Sequence, residues 1–314
     1  MTTGPEPQTA SAVLMVRPLH FGWNEQTAAS NTFQHPPREP PLQVRQQALA
    51  EFAALHALLE RSGVRVMVFE DLPTPHTPDA LFPNNWLTSH SDGTLVLYPM
   101  AAPNRRVERR PQLIAALRRE LGVRRVVDLT AWESQGRFLE GTGSLVLDRV
   151  HRVAYAAASA RTDPAVVAAW AAALDYRPIL FSTLPQRDQP IYHTNVVLAL
   201  GTTTAVVCLE AITPGAPRAA VAAALEASGR QLLAITGEQL HCFAGNLLEL
   251  RSQDGQRLWV MSTQAFAALE PAQRQQLASE ATLLHTPLPT IEAVGGGSAR
   301  CLLAELFAAT PPGQ

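Results

Sequence analysis

An internal repeat constrains this chain more than any other feature. The order hairpin, amphipathic helix, apolar strand recurs at a period of about 53 residues, and fixed-period self-similarity marks an array or a closed ring. Helical stretches fall at about Val44–Ser62, Pro111–Leu121, DPAVVAAWAAAL from Asp163, Ala216–Ser228 and Pro271–Glu280. Each leads into a short apolar strand: VRVMVFE from Val64, then RRVVDL, RPILFS, QLLAIT and a last one near Ala281–His285. The hairpins turn at Asp92-Gly93, near Gly201 and at Asp254-Gly255, and the Asp-Gly pairs predict two-residue turns. One unit cannot bury its hairpin and its helix alone, so its neighbours must complete the core. The strand VLMVRP, Val13–Pro18, is expected to pair with the last unit and close the circle. The closing GGGSARCLLAELF predicts a glycine-rich turn running into a helix.

Just before each hairpin lies a polar or glycine-bearing segment: FPNN, FLEGTG, YHTN, FAGN and GGSARC. In phase they offer Asn85, Glu140, His193, Asn246 and Cys301, at spacings of 55, 53, 53 and 55 residues. Equivalent positions of a ring converge on its axis, so these residues are expected to face one pocket. Taken singly, each has a plainer explanation. Lone cysteines are usually buried structural residues, lone histidines satisfied core residues, and a loop glutamate is usually solvated. The shared phase is what turns them into a thiol, an imidazole, a carboxylate and amides in one site. A helix starting at Cys301 would also lower the thiol pKa. Cys208, in an apolar strand, and Cys242 read as structural.

Composition removes several alternatives. All 25 basic residues are Arg, so lysine Schiff bases, lysine-linked pyridoxal phosphate and the Gly-Lys-Ser/Thr phosphate loop are excluded. Three scattered cysteines make neither a disulfide framework nor a zinc site. A net charge of −2 gives no footprint for nucleic acid or anionic membrane, and no apolar run nears the roughly 20 residues of a membrane span. MTTGPEPQTAS lacks the features of a secretory signal. The expectation is a disordered lead over 1–12, a single catalytic domain over 13–310, and a cytoplasmic protein.

In this order and spacing, FPNN, LEGTGS, YHTN and GGGSARC resemble the guanidino-group modifying enzymes of the pentein superfamily. These are arginine deiminases, amidinotransferases, dimethylarginine hydrolases and succinylarginine dihydrolases. The resemblance runs from about Val13 to Phe307, and VRPLHFGWNEQTAASNTFQ is most similar to an amidinotransferase-like branch that includes citrulline-utilising hydrolases. It implies an α/β class fold, a five-bladed pseudo-fivefold α/β propeller with its active site on the axis. It also implies Cys301 as nucleophile, His193 as acid/base and Glu140 as substrate-binding carboxylate, with no metal or organic cofactor. Glu140 could alternatively orient the imidazole. SARTD resembles a segment whose arginine, here Arg161, holds the substrate α-carboxylate; the alternative is an ordinary surface arginine at a helix start.

The sequence departs from that pattern at Asn85 and Asn195, where members acting on a cationic guanidinium usually carry Asp. The FPNN asparagines could simply form a turn. As contacts, amides offer a donor and an acceptor that suit a neutral ureido group better than carboxylates do. The substrate-binding set is therefore Asn85, Asn195, Arg161, Asn84 and Asn246, and the expected reaction is citrulline to ornithine, carbon dioxide and ammonia. Alternatives are an arginine deiminase or acylarginine dihydrolase, an amidinotransferase, and a non-enzymatic binding pentein. The partner expected is a small molecule, not nucleic acid or membrane. The sequence leaves the oligomeric state open, a homodimer among the options. It also leaves open whether Trp23, Asn24, Arg137 and Trp86 line the pocket or only pack.

Overall fold

A computed structural model describes residues 6–185 and 188–309. Five three-stranded sheets form the α/β pentein ring, and in each an inner strand runs antiparallel to a middle strand that runs parallel to an outer one. In the first sheet the middle strand is β1 (Ala12–Arg17), beside β2 (Arg65–Glu70). The next sheet holds β3 (Leu87–Ser89), β4 (Thr94–Leu97) and β5 (Arg125–Asp128). It is followed by β6 (Leu145–Asp148), β7 (Val153–Ala157) and β8 (Arg177–Phe181), then β9 (Leu198–Leu200), β10 (Thr204–Val207) and β11 (Gln231–Ala234). The last three-strand run is β12 (Leu248–Arg251), β13 (Arg257–Ser262) and β14 (Thr282–Thr286). The circle closes when β15 (Ala304–Glu305) pairs with β1, Val13 opposite Glu305, as the N-terminal strand predicts.

The crossover helices are α1 (Pro41–Arg61), α2 (Pro111–Glu120), α3 (Pro164–Leu174), α4 (Ala216–Ala227) and α5 (Pro271–Ala278), close to the expected spans. Proline within the first turn of each fits positions whose N–H has no helical partner. Helix α1 buries Val44, Ala48, Phe52, Leu55 and Leu59, a single stripe at helical spacing. Each large apolar side chain buried this way stabilises by about 1.5–3 kcal/mol. Among the described residues no helix is long and apolar enough to cross a membrane.

Three expectations need correction. Both Asp-Gly hairpins use three-residue turns: His90 N bonds Thr94 O and Ser252 N bonds Gln256 O, with Gly93 at φ +86° and Gly255 at φ +86°. A type I turn closed by a left-handed glycine needs that third residue. The helix expected after GGGSARC is absent. A π-turn, Ile291–Gly295, ends on the first of the three glycines, and a 3-10 turn, Ala299–Leu302, leads straight into β15. The open edge of β1 needs a strand there, and that tertiary demand overrides helix propensity. The lead is ordered from residue 6 onward; the rest of it lies outside the described residues. Glu6 is buried, where Arg149 donates to it at 2.8 Å and Tyr176 at 3.0 Å, and Gln8 donates to the Leu147 carbonyl. A partner 143 residues away cannot be read from local composition.

Candidate active site

Each in-phase residue sits on a tight turn just before an inner strand. Asn85 ends a 3-10 turn before β3, Glu140 caps the turn Gly141–Ser144 before β6, and His193 caps Thr194–Val196 before β9. Asn246 closes the turn begun at Phe243 before β12, and Cys301 lies in the turn before β15. Neighbouring turns touch around the axis: Thr142 Oγ1 donates to Asn84 O, Thr194 Oγ1 to Ser144 O, and Asn246 Nδ2 to Asn195 O. Gly143 is required at this closure, since a Cβ there would lie 2.6 Å from the His193 ring and 2.7 Å from Asn85 Nδ2.

Cys301, His193, Asn85 and Arg161 line one small pocket, with Asp79, Arg105 and Tyr192. Cys301 Sγ is approached by Asn246 Nδ2 at 3.4 Å and Asn195 Nδ2 at 3.7 Å, weak amide contacts that place both residues behind the sulfur. Burial pushes the thiol above its ordinary range, and Asn246, the Ser298 backbone, the Arg300 charge and Asn195 only partly oppose it. The lowered thiol pKa expected from a helix start is therefore not found: burial outweighs the groups that favour the thiolate, and the expected helix does not form.

His193 Nε2 lies 2.9 Å from Glu140 Oε2, and both side chains are buried. Burial lowers the imidazole to about 4, despite the attraction of Glu140. At neutral pH the ring is then neutral, with Nε2–H donated to Glu140 and the lone pair on Nδ1. Burial resists ionising Glu140 too, but Arg161 and the His193 hydrogen bond outweigh it and hold this carboxyl well below the usual range. Glu140 also accepts from the Ala101 N–H. Oε2 meets the imidazole and Arg161 while Oε1 takes the Ala101 N–H, an arrangement that fits the second of the two roles expected for it, and Glu140 stands behind the pocket wall.

The other expected contacts also sort differently. Arg161 reaches the wall, but its guanidinium donates to Thr27 O, Ser30 Oγ and Glu140 and stacks over Tyr192; it is no surface arginine and in this state holds no free carboxylate position. Asn85 Oδ1 accepts from Arg105 Nη1 at 2.6 Å, and its Nδ2 donates to Asn84 Oδ1. Asn84 is behind the wall, its Nδ2 buried without a partner, and Asn195 Oδ1 is likewise buried and unpartnered. Trp86 packs in the core, while Asn24 supports Asp79 at 2.7 Å.

Sequence reasoning missed Asp79 and Arg105. Asp79 Oδ2 accepts from Asn24 and Thr27, but Oδ1 is buried with no partner. Burial pushes this carboxyl up; Arg105, Asn24, Arg161 and Thr27 oppose that. Arg105 is clamped by Glu108 at 2.9 Å and 3.0 Å and stays charged. Neither residue is in phase with the repeat. The only local signal is a charged residue inside an otherwise apolar or turn segment, PDALF and PNRR.

The arrangement can therefore supply a nucleophile, a neutral proton acceptor and a buried carboxylate with a free oxygen. The pocket measures about 10 Å³, no more than a water needs, so an amino acid enters only if its cover moves. Asn31 lines the pocket and bonds the Gly296 carbonyl, and Thr27 and Ser30 of the same segment bond the lining residues Asp79 and Arg161.

The sequence profile of the N,N-dimethylarginine dimethylhydrolase family, eukaryotic, matches residues 17–308. No curated protein sequence matches the chain. Among solved structures the chain is similar to ArgZ, an arginine dihydrolase from the ornithine–ammonia cycle in cyanobacteria, with a TM-score of 0.74 and 18% identity, covering 96% of this chain. It spans only 41% of that longer protein. Against the ArgZ N-terminal domain bound to substrate, the TM-score is 0.73 at 17% identity, covering 95% and 98% of the two chains. It is also similar to DDAH from Pseudomonas aeruginosa in complex with citrulline, with a TM-score of 0.65 and 16% identity, covering 94% and 99%. At these identities the structures speak for the shared fold.

Proposed function

We propose that this chain, which belongs to the N,N-dimethylarginine dimethylhydrolase family, hydrolyses a free amino acid of the arginine type through a Cys301 adduct and carries the ureido group onward to the amine. Family membership makes it a hydrolase of carbon–nitrogen bonds in guanidino compounds. The finer reading rests on one observation: Asp79, which lines the pocket with Cys301, keeps Oδ1 buried and without a partner, while burial pushes the thiol above its ordinary range. Attack needs a thiolate. A guanidinium arriving beside Sγ brings the positive charge that favours the thiolate, and Asp79 Oδ1 offers the cation a partner. A ureido group brings no charge, so guanidinium is the better first substrate.

The thiolate attacks the guanidino carbon, and the proton released goes to His193 Nδ1. Ammonia leaves with a proton returned from His193, giving a thiouronium adduct. Water, deprotonated by the same imidazole, displaces the sulfur and leaves a ureido amino acid, citrulline if the substrate is arginine. Asn85 and Asn195 put no carboxylate beside this neutral group: the Asn85 amide is held by Arg105 and Asn84, and Asn195 stands behind the sulfur with its Oδ1 unpartnered. A second attack expels ammonia, and hydrolysis of the thiocarbamate gives a carbamate that loses carbon dioxide. Arginine plus two waters gives ornithine, carbon dioxide and two ammonias. Citrulline enters at the second half-reaction, which keeps it a substrate. An Asp at position 85 would face Arg105, so it would be neutralised internally rather than left for the substrate.

Product analysis with arginine, citrulline and N,N-dimethylarginine tests this, with Cys301→Ala as control. The expected result is ornithine with two ammonias per arginine, ornithine from citrulline at a lower rate, and nothing from the variant. Citrulline accumulating as the end product would overturn the second half. Dimethylamine from dimethylarginine with arginine inert would overturn the substrate, and dependence on an added amine acceptor would make the enzyme a transferase.

A further inference from the structure

The largest of the cavities described above and below is not the catalytic one. It measures about 320 Å³, within the range of small-molecule sites, and opens to solvent between His35, His241 and Gln264. Phe33 and Phe243, buried and with ring centroids 5.3 Å apart, line it together with buried Glu292. The His241 ring continues the aromatic wall, 5.6 Å from Phe33. Glu292 is held by neutral groups, the hydroxyls of Ser298 at 2.5 Å and Ser262, and pairs with no basic side chain among the described residues. A buried carboxylate without a cation, beside aromatic faces and under an open mouth, is an incomplete ion pair. Burial, with a contribution from the Glu51 charge, pushes Glu292 up to about 7 against the hydrogen bonds of Ser262 and Ser298.

We infer that this cavity is a second binding site, for a small organic cation such as an alkylguanidinium or alkylammonium, seated on Phe33 and Phe243 and paired with Glu292. The site lies close to the nucleophile in the chain: Ser298, which donates to Glu292, accepts through its carbonyl from the Cys301 N–H. A cation drawing on Glu292 would compete with Ser298 for it. The inference goes beyond the proposed reaction and does not rest on its substrate.

Butylguanidinium is the probe, titrated into the full Cys301→Ala chain while the imidazole resonances of His35 and His241 are followed by NMR. These histidines report this cavity, as His193 reports the catalytic one. Saturable shifts of both are expected. Gln264→Arg, at the exposed mouth, should weaken binding at least tenfold, and Gln264→Glu should strengthen it several-fold. Neutral butylurea should bind at least tenfold more weakly. Shifts confined to His193, affinity unmoved by Gln264→Arg, or equal binding of butylurea would each overturn the site.

Discussion

The two ends of the inner strands carry buried polar residues in very different states. At the far ends, charges meet opposite charges: Arg149 with Glu6 and Glu305, Arg230 with Asp148, Arg300 with Glu305. Two polar atoms there, Arg149 Nη2 and Glu249 Oε1, lack hydrogen-bond partners, the latter lying 3.7 Å from Arg257 Nε, and their residues line a cavity of about 30 Å³. At the near ends, the turns present a thiol with only weak amide contacts, a carboxylate with a free oxygen, and two amides each with an idle group. The far end thus pairs charges across the ring, while the near end gathers unpaired polar atoms around the small pocket that holds Cys301. Buried polar groups without partners cost stability, so where they cluster they point to function.

Glu140→Gln should show the largest effect on the near end. With the carboxylate charge gone, the imidazole is less firmly held, and kcat should fall by about 10²- to 10⁴-fold while the unfolding midpoint moves little. At the far end, Arg149→Met removes the ion pair of buried Glu6, while Glu305 keeps Arg300, and should cost about 3–5 kcal/mol in urea unfolding, with kcat preserved in the folded fraction. If the two variants exchanged outcomes, the division between ends would be broken.

Acid sharpens the same contrast. Folded His193 stays neutral down to about 4, while the unfolded side chain titrates near 6.5. Between those values the unfolded state binds more protons, so stability should fall as pH drops through the window, by an amount on the order of 2–3 kcal/mol. Below it, Glu140, whose folded pKa is depressed, adds a loss as pH falls further. Denaturant midpoints at several pH values check the sign; stability rising on acidification to pH 5 would contradict a neutral buried imidazole. The smallest effect is expected from Asn246→Ala. It removes the contact that most favours the thiolate, so the pH profile for iodoacetamide trapping of Cys301 should shift upward. An unchanged profile would leave Asn246 a purely structural bond to Asn195.

Much of this was legible in the sequence because a ring turns periodicity into proximity. The 3.6-residue stripe of α1, the Asp-Gly hairpins and the five in-phase segments each carry a local signature, and phase alone put Asn85, His193 and Cys301 at one pocket. What failed were statements that depend on who sits opposite. The residues after Cys301 have helix propensity but fill the vacant edge of β1. Asn85 reads as a ligand contact until Arg105 occupies its oxygen, and Arg161 until Glu140 and the segment around Ser30 take its donors. Asp79, out of phase, carries no mark in its neighbours' identities.

By itself the sequence determined the repeat, its closure by the N-terminal strand, and an in-phase set of thiol, imidazole and carboxylate, because period and residue type are local properties. Only the tertiary structure decided the charge states and the free valences: that Cys301 and His193 rest neutral, that Glu140 supports rather than lines the pocket, and that Asp79 keeps an oxygen unpaired. Those depend on burial and on partners tens to hundreds of residues away, which no short stretch of the chain contains.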